Sequence, residues 1–210
     1  MVAFPKTDSG GAVMRGYEVV CDVCTPMRIR AACRLDRFAS GGSRDVYLIM
    51  LLYRAGHMIR MLQVSGQGRR RHSVALRFIE RLQKVLVILP FKVELPTATH
   101  IGPGLNLPHP HSVVFNSRVR IGSGCTVFHG VTIGERAIAG NRETPVVGNH
   151  VVIGTGAILL GPIMVGDSAV IGAGAVVTKS VRGSSHVVGH NRTIGSKQSG
   201  QKHPGTGRQP

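Results

Sequence analysis

Val147, Ile153, Leu159, Val165, Ile171 and Val177 stand at a strict six-residue step. A period of six fits neither the 3.6 of a helix nor the 2 of an ordinary strand. It is the pattern of a parallel β-helix built from hexapeptides, in which each hexapeptide makes one short flat side of a coil. The apolar residue points inward. Gly follows it at Gly148, Gly154, Gly166 and Gly172, where it is expected to permit the tight corner. Val151, Ala157, Ile163, Ala169 and Ala175 lie four positions after the ladder residues and suit a second inward position.

The ladder runs backwards in two more stretches, Phe115–Ile121–Val127–Ile133 and Ile101–Leu107–Val113. The three stretches are out of phase. The register slips by two residues between Leu107 and Phe115, across Pro108-His109-Pro110-His111. It slips again between Ile133 and Val147, which predicts a protruding loop from Glu135 to Pro145. Regular coils have no reason to break the period, and loops that leave a rigid scaffold often carry function. The two breaks are therefore where chemistry is sought.

Ahead of the coils the period changes. Leu48, Leu51, Leu52, Ala55, Met58, Ile59 and Leu62 form a helical stripe, with Asp45 as its expected cap. Ser73 is expected to cap a second helix running toward Leu89, which Pro90 stops. The organisation expected is a poorly ordered basic segment over 1–44, a helical segment over 45–93 and a mainly β domain of about four coils over 94–195. A disordered tail over 196–210 follows.

Composition agrees with a solenoid: of 210 residues 28 are Gly, none is Trp and 4% are aromatic. The formal charge of +16 is uneven. Residues 28–92 carry 14 Lys and Arg against Asp36, Asp45 and Glu80, whereas the coils are closer to neutral. Such a face suits acidic ligands, nucleic acid or an anionic membrane, and a solvated helix face explains it equally well. Cys21 and Cys24 form one CxxC with no second pair, and with Cys33 and Cys125 they read as reduced thiols rather than a metal site. No secretory signal is evident, and Val46–Leu52 is too short to span a bilayer. The expected location is cytoplasmic, with a peripheral membrane contact through the basic helices kept open.

His109, stiffened by Pro108 and Pro110, has the chemistry of a general base near neutral pH. Glu94 stands fifteen residues earlier, close to one coil away, and is the candidate carboxylate to orient it. A loop histidine without a role is an equal reading. Arg142, Glu143 and Thr144 in the second break are polar groups able to reach a neighbouring site, and His129 should project outward. His100, His111 and His150 read as surface histidines.

Taken together, Glu94-Leu-Pro, Ile101-Gly-Pro-Gly-Leu105, His109, Gly130-Val-Thr-Ile-Gly134, Pro145-Val-Val-Gly148, Gly154-Thr-Gly-Ala157 and Ile171-Gly-Ala-Gly-Ala-Val-Val177 resemble the serine acetyltransferase family. Tyr53-Arg-Ala-Gly-His57 and Val187-Val-Gly189 extend the likeness over roughly 45–195. The resemblance implies a left-handed β-helix acyltransferase using acetyl-CoA without a metal. It implies a homotrimer, with pairing of trimers left open, and no nucleic acid partner. His109 matches the family's general base and Glu94 its carboxylate. Gly134, Thr155, Gly156, Ala173, Gly174 and Lys179 match positions that meet the CoA arm between adjacent subunits, while His129, Arg142, Glu143 and Thr144 fall at acceptor-side positions.

The departures point to the acceptor. Serine enzymes carry Asp-His where this chain has Pro108-His109, and Asp-Arg-His-Pro where it has Arg142-Glu143-Thr144-Pro145. The missing charges are those that hold serine's ammonium and carboxylate. This profile is closest to the colanic-acid and exopolysaccharide acetyltransferases, so a sugar hydroxyl is the favoured acceptor. The rivals are serine O-acetylation, a zinc β-helix resembling γ-carbonic anhydrase, which needs three intersubunit histidines, and a scaffold that has lost chemistry.

Overall fold

The structure, a computed structural model, describes residues 26–64, 69–138 and 141–196. Its body is a left-handed β-helix, a three-sided prism of two- to four-residue parallel strands. Face one stacks His100–Ile101, Arg120–Ile121, Val146–Val147 and Met164–Val165. Face two stacks Thr126–Val127, Val152–Ile153, Val170–Ile171 and Ser185–Val188. Face three stacks Val114–Phe115, Thr132–Gly134, Ile158–Leu160 and Val176–Val177. Arg192–Ser196 folds back antiparallel on Ser185–Val188 and ends the stack.

The six-step ladder is the core. Every residue of its three stretches is buried, and so are Val151, Ala157, Ile163, Ala169 and Ala175. The register slips have measurable consequences. A regular coil pairs residues 18 apart, as in Leu159 with Val177. The coil holding His109 pairs residues 20 apart, Ile101 with Ile121. The coil holding the loop pairs residues 26 apart, Ile133 with Leu159. Within that loop Arg136–Ile138 and Asn141–Glu143 form an antiparallel hairpin.

The glycines after the ladder residues do a different job from the one expected. Gly148, Gly154, Gly166 and Gly172 are not the positive-φ corners. They lie where one coil presses on the next: a Cβ on Gly154 would stand 2.6 Å from the Ala173 nitrogen. The left-handed corners belong instead to Gly130, Gly156 and Gly174 on one edge, with φ of 71°, 66° and 64°.

The helical part also departs from expectation. Helix α1, Pro26–Ala39, lies inside the segment expected to be poorly ordered, so helices additional to the two expected precede the coils. The α2 helix, Arg44–Val64, starts one residue before Asp45, and the Ser43 carbonyl accepts the Tyr47 N–H at 3.1 Å. Asp45 is therefore in the first turn, where its charge suits the positive helix end, and is not the cap. Helix α3, Arg69–Gln83, likewise begins before Ser73, whose hydroxyl accepts from the Gln63 amide. A wide π turn, Lys84–Ile88, and a short α4, Leu89–Phe91, follow. Pro90 sits inside that last turn, and the chain leaves the helix at Lys92, φ 53°. Residues 1–25 and 197–210, which include the Cys21/Cys24 pair and the expected tail, lie outside the described residues.

The helices close the open end of the prism. Tyr53 donates its hydroxyl to the Thr99 carbonyl at 2.6 Å and accepts the Ile101 N–H at 3.2 Å. His57 Nδ1 bonds the Thr97 carbonyl at 2.8 Å. Arg54 and Asp36 form a buried ion pair at 3.0 Å. Arg54 also donates to the Gly102 carbonyl at 2.6 Å, and Asp36 accepts the N–H groups of Gly104 and Leu105 at 2.7 and 3.2 Å. A first coil has no coil beneath it, so its backbone groups need such partners.

Candidate active site

His109 lies on the edge joining face two to face three, in the two-residue slip. Its neighbours hold the turn from three sides. Pro108 and Pro110 fix φ on either side, and Pro110 is buried while His109 is exposed. From the helical cap, the Phe91 carbonyl accepts the Ser112 N–H at 2.9 Å and the Phe91 ring packs on His111 at 5.7 Å. The next coil donates the Gly130 N–H to the His111 carbonyl at 3.0 Å. The result is an exposed imidazole on a backbone with little freedom.

His129 stands one coil on, on the same edge. The two rings meet edge-to-face, centroids 5.9 Å apart and planes at 72°. The backbone ladder of this edge continues upward. The Gly156 N–H donates to the His129 carbonyl at 2.9 Å, and the Gly174 N–H donates to the Thr155 carbonyl at 2.8 Å. So His109, His129, Thr155, Gly156, Ala173 and Gly174 share one edge of the prism. A Cβ on Gly156 or Gly174 would meet nothing within 4 Å, so the backbone there is open to an approaching ligand.

Other candidates stand elsewhere. Gly134, the hairpin loop with Arg142, Glu143 and Thr144, and Lys179 lie on the edge between faces three and one. The Thr144 hydroxyl donates to the Arg118 carbonyl at 3.0 Å, and Glu143 is exposed. Lys179 is exposed, and its N–H donates to Asn191 Oδ1 at 3.1 Å. Within one chain these residues and the His109 edge do not share a cleft. Glu94 opens face three, paired with Val114, and its side chain is exposed. Among the described residues no hydrogen bond or ion pair joins Glu94 to His109.

Of the three histidines expected at the surface, His111 and His150 are exposed and His100 is not. His100 lies edge-on to His57, centroids 5.4 Å apart, with its Nδ1 buried without a partner. His150 is exposed but occupies a left-handed corner, φ 54°. Phe91, Asp36 and Arg54 were missed as residues that hold the site's foundations. The available signal was an arginine in the apolar stripe of α2; its partner Asp36 carries no signal of its own. Among the described residues no three His, Cys, Asp or Glu side chains are grouped to hold a metal ion. Cys33 and Cys125 are free thiols.

Residues 144–179 match the family model for the bacterial transferase hexapeptide (six repeats), and 117–141 that for the hexapeptide repeat of succinyl-transferase. A serine acetyltransferase of Helicobacter pylori strain 26695 is 33% identical over 147 residues, 70% of this chain and 84% of the relative. WcaB of Escherichia coli K12, assigned as an acetyltransferase of colanic acid biosynthesis, is 38% identical over 113 residues, 54% of this chain and 69% of the relative. The chain spans about half, 47%, of the serine acetyltransferase of Mycobacterium tuberculosis H37Rv, to which it is 39% identical over half of its own length. The serine acetyltransferase of Brucella abortus strain S19, solved in complex with coenzyme A, superposes with a TM-score of 0.67 at 25% identity, over 82% of this chain and 70% of that one. Sequence, repeat and fold agree: the chain is an acyltransferase and belongs to the serine acetyltransferase family of hexapeptide-repeat proteins.

Proposed function

We propose that this protein transfers the acetyl group of acetyl-CoA to a hydroxyl of a carbohydrate acceptor, with His109 as general base. His109 takes the hydroxyl proton as the oxygen attacks the thioester carbonyl. The tetrahedral intermediate collapses, the C–S bond breaks, and the thiolate of CoA recovers the proton from the imidazolium. No acyl-enzyme forms. Acetyl-CoA as co-substrate follows from family membership and from the coenzyme A complex of the Brucella relative.

The observation that carries the acceptor reading is that, among the described residues of its own chain, His109 has no ion pair: Pro108 and Pro110 flank it and the His129 ring meets it. A zwitterion bound there would lack the ion pairs that offset its desolvation, whereas a sugar hydroxyl needs only hydrogen bonds. In the loop, Thr144, whose hydroxyl donates to the Arg118 carbonyl, stands where serine enzymes carry a histidine, and Arg142-Glu143 stand where they carry Asp-Arg, with the charges in reverse order. WcaB favours the same acceptor class by its assignment. Glu94 is assigned the carboxylate role by the resemblance and His129 an acceptor-side role.

The hairpin loop and the His109 edge belong to different edges of one chain, so their joint use requires a neighbouring subunit. A trimer, with CoA between coils of adjacent subunits, is the assembly proposed. The test is a thiol-release assay with acetyl-CoA, run first with L-serine and then with nucleotide-linked and lipid-linked sugars. Turnover with a sugar and none with serine is expected. Saturable turnover at millimolar serine would replace the sugar reading with serine O-acetylation, which the serine acetyltransferase names of most relatives favour.

A further inference from the structure

Helix α3 and the turn after it expose an apolar stripe that nothing in the described chain covers. Val74, Phe78, Val85 and Leu89 are 69%, 62%, 59% and 71% exposed. Their steps of four, seven and four keep them on one side of a helical ribbon. The opposite side carries the buried Leu76, Gln83 and Val87. At about 1.5 Å per residue the stripe runs roughly 20 Å. Four large apolar side chains aligned in water form a patch that needs an occupant.

The flank identifies the occupant's charge. Arg77, Arg81 and Lys84 are exposed beside the stripe. Arg69, Arg70 and Arg71 open the same helix. The one acid of α3, Glu80, is turned toward the scaffold, where its carboxylate accepts the Thr97 hydroxyl at 3.2 Å. An apolar stripe with a cationic flank along one side fits an interfacial helix lying on an anionic surface. Two copies meeting through this same face would set Arg and Lys against Arg and Lys, which opposes a face-to-face pair. Nucleic acid would use the cations but leave Phe78, Val85 and Leu89 in water. No described helix is long and apolar enough to cross a membrane, so the contact is one of lying on the surface.

We propose that the Val74–Leu89 stripe docks this protein onto an anionic lipid surface, the apolar side chains entering the interface while Arg77, Arg81 and Lys84 meet the headgroups. This surface is separate from the His109 edge, and the proposal stands whatever the acceptor is.

The test is co-sedimentation of the full chain with vesicles of phosphatidylcholine alone or mixed with phosphatidylglycerol. Binding to the mixed vesicles at low salt, weakened by added salt, is expected. Two double variants of exposed residues, Phe78→Ser with Leu89→Ser and Arg77→Glu with Arg81→Glu, should each weaken it at least about tenfold. Both should keep the wild-type circular dichroism spectrum and acetyl-transfer rate. No binding to mixed vesicles overturns the proposal. So does binding lost in the arginine variant and unchanged in the serine variant, which would mark a generic cationic patch. Concentration-dependent self-association abolished by the serine variant and untouched by vesicles would assign the stripe to a second copy instead.

Discussion

Asp36 and Arg54, on neighbouring helices, meet at 3.0 Å with essentially no solvent exposure, and both spend their remaining hydrogen bonds on the first coil. Burial works against the Arg54 charge, but the hydrogen bonds and charge of Asp36 outweigh it and hold the guanidinium above its ordinary value. The pair is thus a lid on the prism, in which side-chain atoms do what a preceding coil would do.

Removing one member should therefore cost more than removing a surface ion pair. Asp36→Ala leaves a buried guanidinium uncompensated and two N–H groups of the first coil without a partner. A loss of about 3–5 kcal/mol is expected from urea unfolding. The double variant Asp36→Ala, Arg54→Met removes the stranded charge but restores none of the coil's hydrogen bonds. It should recover only part of the loss. Full recovery would mean that the lid is a charge pair and nothing more.

The two glycine roles are separable. Gly154→Ala drives a Cβ to 2.6 Å from the backbone nitrogen of Ala173, and neither coil can move without disturbing its ladder. A loss of about 2–3 kcal/mol is expected, as for overpacking. Gly156→Ala meets open space and suffers only its φ of 66°, which costs about 1 kcal/mol. Thermal unfolding should rank Gly154→Ala below Gly156→Ala. The reverse order would restore the corner as the reason for the repeat's glycine.

At the active site, His109→Ala should lower kcat by about 10²–10⁴, the usual contribution of a general base. His129→Asn keeps a polar side chain and leaves the base in place, so its effect should fall mainly on KM for the acceptor, by roughly tenfold. Steady-state kinetics with whichever hydroxyl substrate the acceptor assay identifies separates the two. Equal kcat losses would make the two rings a single catalytic unit.

The sequence carries the coils because burial in a β-helix repeats at a fixed step, and each ladder residue from Ile101 to Val177 is an independent reading of that step. It carries the place of His109 because Pro108 and Pro110 interrupt the step. It does not carry α1, whose exposed Leu35 and Phe38 blur the apolar stripe. Nor does it carry the Asp36–Arg54 lid, since a contact between two helices leaves no period. The edges on which residues fall become legible only with the faces: Thr155 and Ala173 share one with His129 because all three follow strands of face two, while Gly134 and Lys179 end or follow strands of face three. The starts of α2 and α3 differ from expectation for a local reason. Asp45 and Ser73 have capping chemistry, but each sits inside a helix that begins earlier.

Cys125 ties the core to alkaline stability. It is fully buried between coils and donates its thiol to the Gly148 carbonyl at 3.1 Å. Burial pushes its pKa from 9.0 to about 11; the Asp167 charge adds to this, and backbone groups of Val151 and His150 oppose it. The folded thiol therefore keeps its proton at a pH where the unfolded thiol has lost it. Folded protein then binds more protons than unfolded, so stability falls as pH rises. The contribution is fully present below pH 9 and is lost as pH rises to about 11. Two pH units correspond to a loss on the order of 2–3 kcal/mol. Cys125→Ala lacks the titrating group, so its unfolding free energy should fall less steeply with pH than the wild type's over that window. Urea titrations of both proteins, repeated across the window, measure the difference in slope. Parallel curves would mean that other groups cause the alkaline loss. The same burial keeps the thiolate out of reach, so Cys125 should resist thiol reagents until the coils open.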